Sequence, residues 1–137
     1  MTTVTPQRIL VAGDNPIFRE TLAQSLRAQD HDVITPDTAV NAFLALRDRS
    51  RPVGSLYARV VLPGPMDGWI LADAYHEMHK DRAVILSGAE ARVSAQGDIV
   101  LKQPTPTAAF KAICEALAGR ERASAAATRP TDARQAA

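Results

Sequence analysis

A chain of 137 residues with 46% hydrophobic and 23% charged residues has the length and balance of one globular domain with a single core. A net charge of +1, with no block of like charges in the body, excludes general attraction to nucleic acid or to a membrane surface. The lone cysteine, Cys114, excludes an internal disulfide and is read as a small core residue of a protein from a reducing compartment. No apolar run approaches the roughly 18 residues of a membrane span, and the start MTTVTPQR has no signal-peptide core, so the expected location is the cytoplasm.

The run Arg8 to Ala12 predicts a first strand, bounded by Pro6 and by Gly13-Asp14-Asn15-Pro16. Asp14 or Asn15 then caps a helix with Pro16 in its first turn and Phe18, Leu22 and Leu26 along one side. Asp32 to Thr35 is a short β-branched second strand ended by Pro36, expected near an edge. Asp37 or Thr38 caps a second helix through about Arg47.

Leu56 to Leu62 predicts a third strand, apolar except for Arg59. An unpaired guanidinium in a buried strand costs several kcal/mol or more, roughly, so Arg59 needs a carboxylate or an opening to water. A helix follows from Gly68 to about His79, then a fourth strand from Ala83 to Ser87. Ala89 to Gly97 leaves room for a stunted helix only, before a fifth strand from Asp98 to Lys102. After Pro104 and Pro106 a last helix carries Ala109, Phe110, Ile113 and Leu117 on its apolar side. Residues 1–119 form the domain, and residues 120–137 are an Ala/Arg-rich tail, either a helix extension or disordered.

Strands alternating with helices imply an α/β fold: a five-stranded parallel sheet, doubly wound, with right-handed crossovers. Ligands of such sheets sit at the carboxyl ends of the strands, where the order reverses. Topology therefore gathers Gly13-Asp14, Arg59, Ser87 and Lys102 at one end.

The segments ILVAGDNPIFRETL, LPGPMDGW, VILSG and Lys102/Gln103-Pro104 follow one another at a spacing that resembles the receiver domain of two-component response regulators, from about Arg8 to Leu117. The resemblance implies a flavodoxin-like receiver fold and transfer of a phosphoryl group from a histidine kinase to an aspartate, with Mg²⁺ held by that aspartate and an acidic pair. The sequence departs from that set. Arg59 stands at the phosphoacceptor position, three residues before Leu62, and of the acidic pair only Asp14 remains beside Gly13. Ser87 fits the switch hydroxyl. The lysine position falls on Lys102 or Gln103, and Gln103-Pro104 is where the family has a cis bond. The family's strand-five aromatic is Ile99 or Val100 here.

Mg²⁺ wants hard oxygen ligands, so a pocket with one carboxylate and one guanidinium is expected to hold no metal. Charges about 4 Å apart at an effective dielectric of 20 attract by roughly 4 kcal/mol before desolvation, which favours an Arg59–Asp14 pair over an arginine reaching to solvent. Asp67 is the competing partner, although its Asp-Gly is expected to serve a turn. His76 and His79, three residues apart, are read as a solvated helix face, and Trp69 and Tyr75 as packing residues. Neither a G-x-S-x-G elbow nor a G-x-G-x-x-G loop is present.

The expectation is a stand-alone atypical receiver, not an enzyme, without cofactor. It acts by contact with a histidine kinase, a phosphotransfer protein or another receiver, including a second copy of itself. The alternatives are phosphorylation at a non-standard aspartate, Asp14 or Asp67, and a regulatory domain in which Arg59, Lys102 and Ser87 cradle a small anion or nucleotide.

Overall fold

The apolar runs pair into one sheet because each is bounded by residues that cannot continue a strand. The computed structural model describes residues 5–136, with side chains up to residue 123. Its strands are β1 (Arg8–Ala12), β2 (Asp32–Ile34), β3 (Ser55–Arg59), β4 (Ile85–Gly88), β5 (Arg92–Val93) and β6 (Ile99–Lys102). Its helices are α1 (Pro16–Arg27), α2 (Ala39–Leu46), α3 (Gly68–Met78) and α4 (Pro106–Ala136). The reading of the N-terminus concerns residues that lie largely outside this range.

The sheet order is β2-β1-β3-β4-β6-β5. Every pairing is parallel except that of β5 with β6, which is antiparallel. The chain runs outward from β1 to β2 and then returns past β1 to β3. The order therefore reverses between β1 and β3, and the crevice above their carboxyl ends is where an open α/β sheet binds.

Each face of the sheet buries its own cluster. On one side Ile9, Val11, Tyr57 and Ile85 pack against Leu22 and Leu26 of α1 and Ala109, Ile113 and Leu117 of α4. On the other, Leu10, Leu56 and Leu86 pack against Ala42 and Leu46 of α2 and Leu71 and Tyr75 of α3. Strand alternation produces this division, since neighbours along a strand face opposite ways.

Local chemistry sets the ends. Asn15 caps α1 by accepting the Phe18 N–H at 3.1 Å, and Thr38 caps α2 by accepting that of Asn41 at 3.1 Å. Asp67 caps α3, its Oδ1 accepting the Ile70 N–H at 2.9 Å. A Cβ at Gly68 would strike the Arg59 carbonyl oxygen. The Asp-Gly step thus lets α3 start hard against the end of β3.

Three expectations are corrected. The segment from Ala89 to Gly97 is no stunted helix: it turns back as a hairpin, giving a sixth strand where five were expected. Gly97 at φ +86 closes the turn, its N–H reaching the Ser94 carbonyl at 2.9 Å, and the Ser94 N–H donates to the Asp98 carbonyl at 2.8 Å. Arg92 then lies 5.2 Å from the Trp69 ring, so a cation–π contact ties the hairpin to α3. The third strand ends at Arg59, not at Leu62, and Val61 beyond it is 73% exposed. His76 is buried, not solvated. Its Nε2 contacts the Asp98 carboxylate at 2.7 and 3.0 Å, and that carboxylate, 0% exposed, also accepts the Val84 N–H at 2.8 Å.

A second histidine gives the fold a pH dependence. His31 is buried where α1 turns into β2, and its Nδ1 accepts the Gln7 N–H at 3.0 Å, which requires that nitrogen unprotonated. Desolvation holds its pKa below the ordinary value, more strongly than nearby Asp30 raises it. His79 shifts the same way through burial, Arg82 and Arg120. The unfolded chain takes up these protons near pH 6.5, roughly, and the folded chain only below that, so stability falls as pH drops through about 6.5 and levels off below the folded values. Urea midpoints are expected to decline from about pH 7.5 to about pH 5, with a shallower slope in His31→Asn, whose amide oxygen can accept the same N–H.

Candidate functional site

The end of β1 supplies Gly13 and Asp14, and the end of β3 supplies Arg59. Parallel pairing of Ala12 with Ala58 brings these two chain segments together. Arg59 Nη1 donates to Asp14 Oδ1 at 2.7 Å. The stem of Arg59 lies over Gly13, where a Cβ would meet its Cγ at 3.7 Å and its Cδ at 3.8 Å. A second cation, Arg19, which the sequence pattern did not mark, lies under this turn and donates from Nη1 to the Gly13 carbonyl at 2.8 Å.

Arg59 has both the carboxylate and the opening to water that its place in an apolar strand calls for. The side chains of Arg59 and Asp14 are 45% and 42% exposed. The roughly 4 kcal/mol expected of a shielded pair therefore shrinks to about 0.2–1 kcal/mol, the usual range for exposed pairs. Its significance is positional: the Asp14 carboxylate at the end of β1 is already occupied by a guanidinium.

Ser87 pairs with Arg59 across β3 and β4. It is buried and accepts a hydrogen bond from the Tyr57 hydroxyl at 2.9 Å. Burial raises the Tyr57 pKa, which keeps the phenol protonated as a donor. Tyr57 was not singled out from the sequence, yet it lies two residues before Arg59, and period two puts both on one face. Lys102 is exposed at the end of β6 and does not reach the cavity beside Ser87. Gln103 does. Its backbone takes the left-handed φ of +38, its N–H donates to the Gly88 carbonyl at 2.9 Å, and the Gln103-Pro104 bond is trans.

Two cavities flank the ion pair. The larger, about 370 Å³, is lined by Arg59 and Ser87 but not by Asp14. The smaller, about 100 Å³, is lined by Gly13, Asp14 and Asp37, the last accepting from the Asn41 side chain at 3.1 Å. Among the described residues no group of three or more His, Cys, Asp or Glu is placed to share a metal. Mg²⁺ needs several hard anionic oxygens in octahedral array; this end presents Asp14, engaged by Arg59, and Asp37, engaged by Asn41.

Neither protein-family models nor curated protein sequences return a match to this chain. Solved structures do. A response regulator receiver protein from Sinorhizobium medicae WSM419 superposes with a TM-score of 0.70 at 19% identity over 84% of this chain and 97% of that one. A CheY-like receiver domain protein from Methanospirillum hungatei JF-1 gives 0.71 at 19% identity, over 86% and 98%. The receiver domain of the hybrid histidine kinase CckA gives 0.67 at 21% identity, over 80% and 98%. The fold is that of a response regulator receiver.

Within that receiver fold the carboxyl ends of β1, β3, β4 and β6 meet as the topology rule requires. They bring together Asp14, Arg59, Ser87 and Gln103 and leave Lys102 outside. Among the described residues no helix is long and apolar enough to cross a membrane.

Proposed function

We propose that this chain is an atypical receiver in two-component signalling, one that takes no phosphoryl group at the usual position and acts by contact with a protein partner. The observation that carries this reading is the Arg59–Asp14 contact at 2.7 Å. An acyl phosphate forms on a carboxylate oxygen, and a guanidinium offers neither that oxygen nor a site for the cation that neutralises the transferring group. Arg59 occupies the phosphoacceptor position and Gly13 one place of the acidic pair, so the pocket has exchanged two carboxylates for a cation and a hydrogen atom. Mg²⁺ is accordingly no cofactor of this chain.

The alternative aspartates are committed elsewhere. Asp67 is held as the cap of α3 and Asp14 by Arg59. Ile17, 81% exposed, and Val61 offer apolar contact at this end of the sheet. A histidine kinase, a phosphotransfer protein, another receiver or a second copy of the chain is the partner class this reading implies.

Incubation with acetyl phosphate and millimolar Mg²⁺ is expected to leave the intact mass unchanged, and Mg²⁺ alone to leave the melting temperature unchanged. An acid-labile phosphoryl adduct overturns the reading. Its position, mapped to Asp14 or Asp67, would identify a non-standard acceptor.

A further inference from the structure

The larger strand-end cavity differs in chemistry from the compact anion cradle that Arg59, Lys102 and Ser87 would have formed. Lys102 is missing from its wall. Arg59 is the one formal charge among the residues lining it, and no carboxylate lines it. Ser87 and Gln103 add an uncharged hydroxyl and amide, while Phe18, Val61 and Pro104 give it apolar sides. Its volume of about 370 Å³ falls in the range of small-molecule sites, roughly 300–1,000 Å³, and far exceeds what an inorganic phosphate needs.

The guanidinium is positioned to serve this cavity without abandoning its partner. Its contact with Asp14 uses Nη1, and Asp14 lines the other, smaller cavity. Arg59 lines the larger space and its partner Asp14 the smaller, so the ion pair joins the two walls. A guanidinium carries five N–H donors in a planar fork, so one edge can hold Asp14 while others remain for a second carboxylate. The buried Tyr57–Ser87 hydrogen bond fixes the floor beside it, since Tyr57 also packs against Phe18 with ring centroids 5.9 Å apart.

We propose that this cavity binds a small organic monocarboxylate with an apolar body, its carboxylate on Arg59 and its body against Phe18, Val61 and Pro104. Arg59 keeps N–H donors beyond the Nη1 that holds Asp14, enough for one further carboxylate, and the apolar walls gain only from a ligand that has carbon to bury. A doubly charged phosphate has no such body and brings a second negative charge up to the Asp14 carboxylate. Binding there does not depend on whether an aspartate takes a phosphoryl group, and the two tests read different signals.

The probes are benzoate and indole-3-acetate, titrated into the ¹⁵N-labelled full chain, with benzamide and inorganic phosphate as comparators. The expected result is a saturable shift of the Val61, Gly88 and Gln103 amides, with a Kd of about 1 mM or tighter for at least one acid, as ligands of this size allow. Benzamide, of the same shape but uncharged, is expected to bind at least tenfold more weakly than benzoate, and phosphate to leave these amides unmoved. Arg59→Gln is expected to weaken binding of the acid at least tenfold. The benzoate–benzamide comparison requires no variant, so it holds even if that substitution perturbs the fold. The proposal is overturned if neither acid shifts these amides at millimolar concentration, if benzamide binds as well as benzoate, or if phosphate competes equally.

Discussion

The double substitution Gly13→Asp with Arg59→Asp is expected to give a protein that melts at a lower temperature without Mg²⁺ and recovers when Mg²⁺ is added. Gly13 has no left-handed φ to prevent a side chain, and a Cβ there meets nothing nearer than the stem of Arg59, which the second substitution removes. With Asp14 the change would gather three carboxylates at the ends of β1 and β3. Unneutralised, they repel one another, and about 1–3 kcal/mol of stability is expected to be lost after solvent screening. A bound divalent cation reverses that loss by mass action. Thermal melts with and without millimolar Mg²⁺ measure both halves. If Mg²⁺ stabilises the parent as much as the variant, or neither, then Arg59 and Gly13 do not stand where carboxylates once held a metal. Efficient phosphoryl transfer is not expected from this variant, because Gln103, and no lysine, reaches the strand-end cavity.

His76→Ala is expected to destabilise the chain more than any single change at the strand-end site. The Asp98 carboxylate is fully buried, and among the described residues His76 Nε2 is its one side-chain partner, with the Val84 N–H as its backbone partner. Removing the imidazole strands a carboxylate in the interior and opens a void beside it. Loss of one member of a buried pair costs about 3–5 kcal/mol. That is a large share of the 5–15 kcal/mol, roughly, that stabilises an ordinary domain. Urea unfolding near neutral pH is the measurement, and a loss below about 1 kcal/mol would mean that water already reaches Asp98. Asp98→Asn, which keeps an oxygen for Val84, is expected to cost less.

Both predictions rest on contacts of different legibility. Asp14 and Arg59 could be paired from sequence because parallel strand topology puts the ends of β1 and β3 together. Their solvent exposure could not, since it depends on β3 stopping at Arg59 while the apolar letters continue to Leu62. His76 lies on α3 and Asp98, 22 residues on, in the turn before β6, so nothing local marks either as the partner of the other. The hairpin was missed for a related reason. Ala89, Glu90 and Ala91 favour helix, but the Ser94–Gly97 turn and pairing with β6 override that weak preference. Gly97 just before the strand was the available signal. Lys102 and Gln103 differ by one position, and only the backbone turn at Gln103 decides which of them meets the cavity.

The two outer margins of the sheet share a property. One ends in β2, three residues long, with Asp32 bonded to Arg8 at 3.0 Å; the other ends in β5, two residues long, bearing Arg92. Backbone groups at a sheet margin are templates on which foreign strands can grow, and brevity combined with charge is how natural sheets refuse them. This protein is therefore built to resist fibril-like polymerisation from both sides, and concentrated samples are expected to stay free of cross-β material.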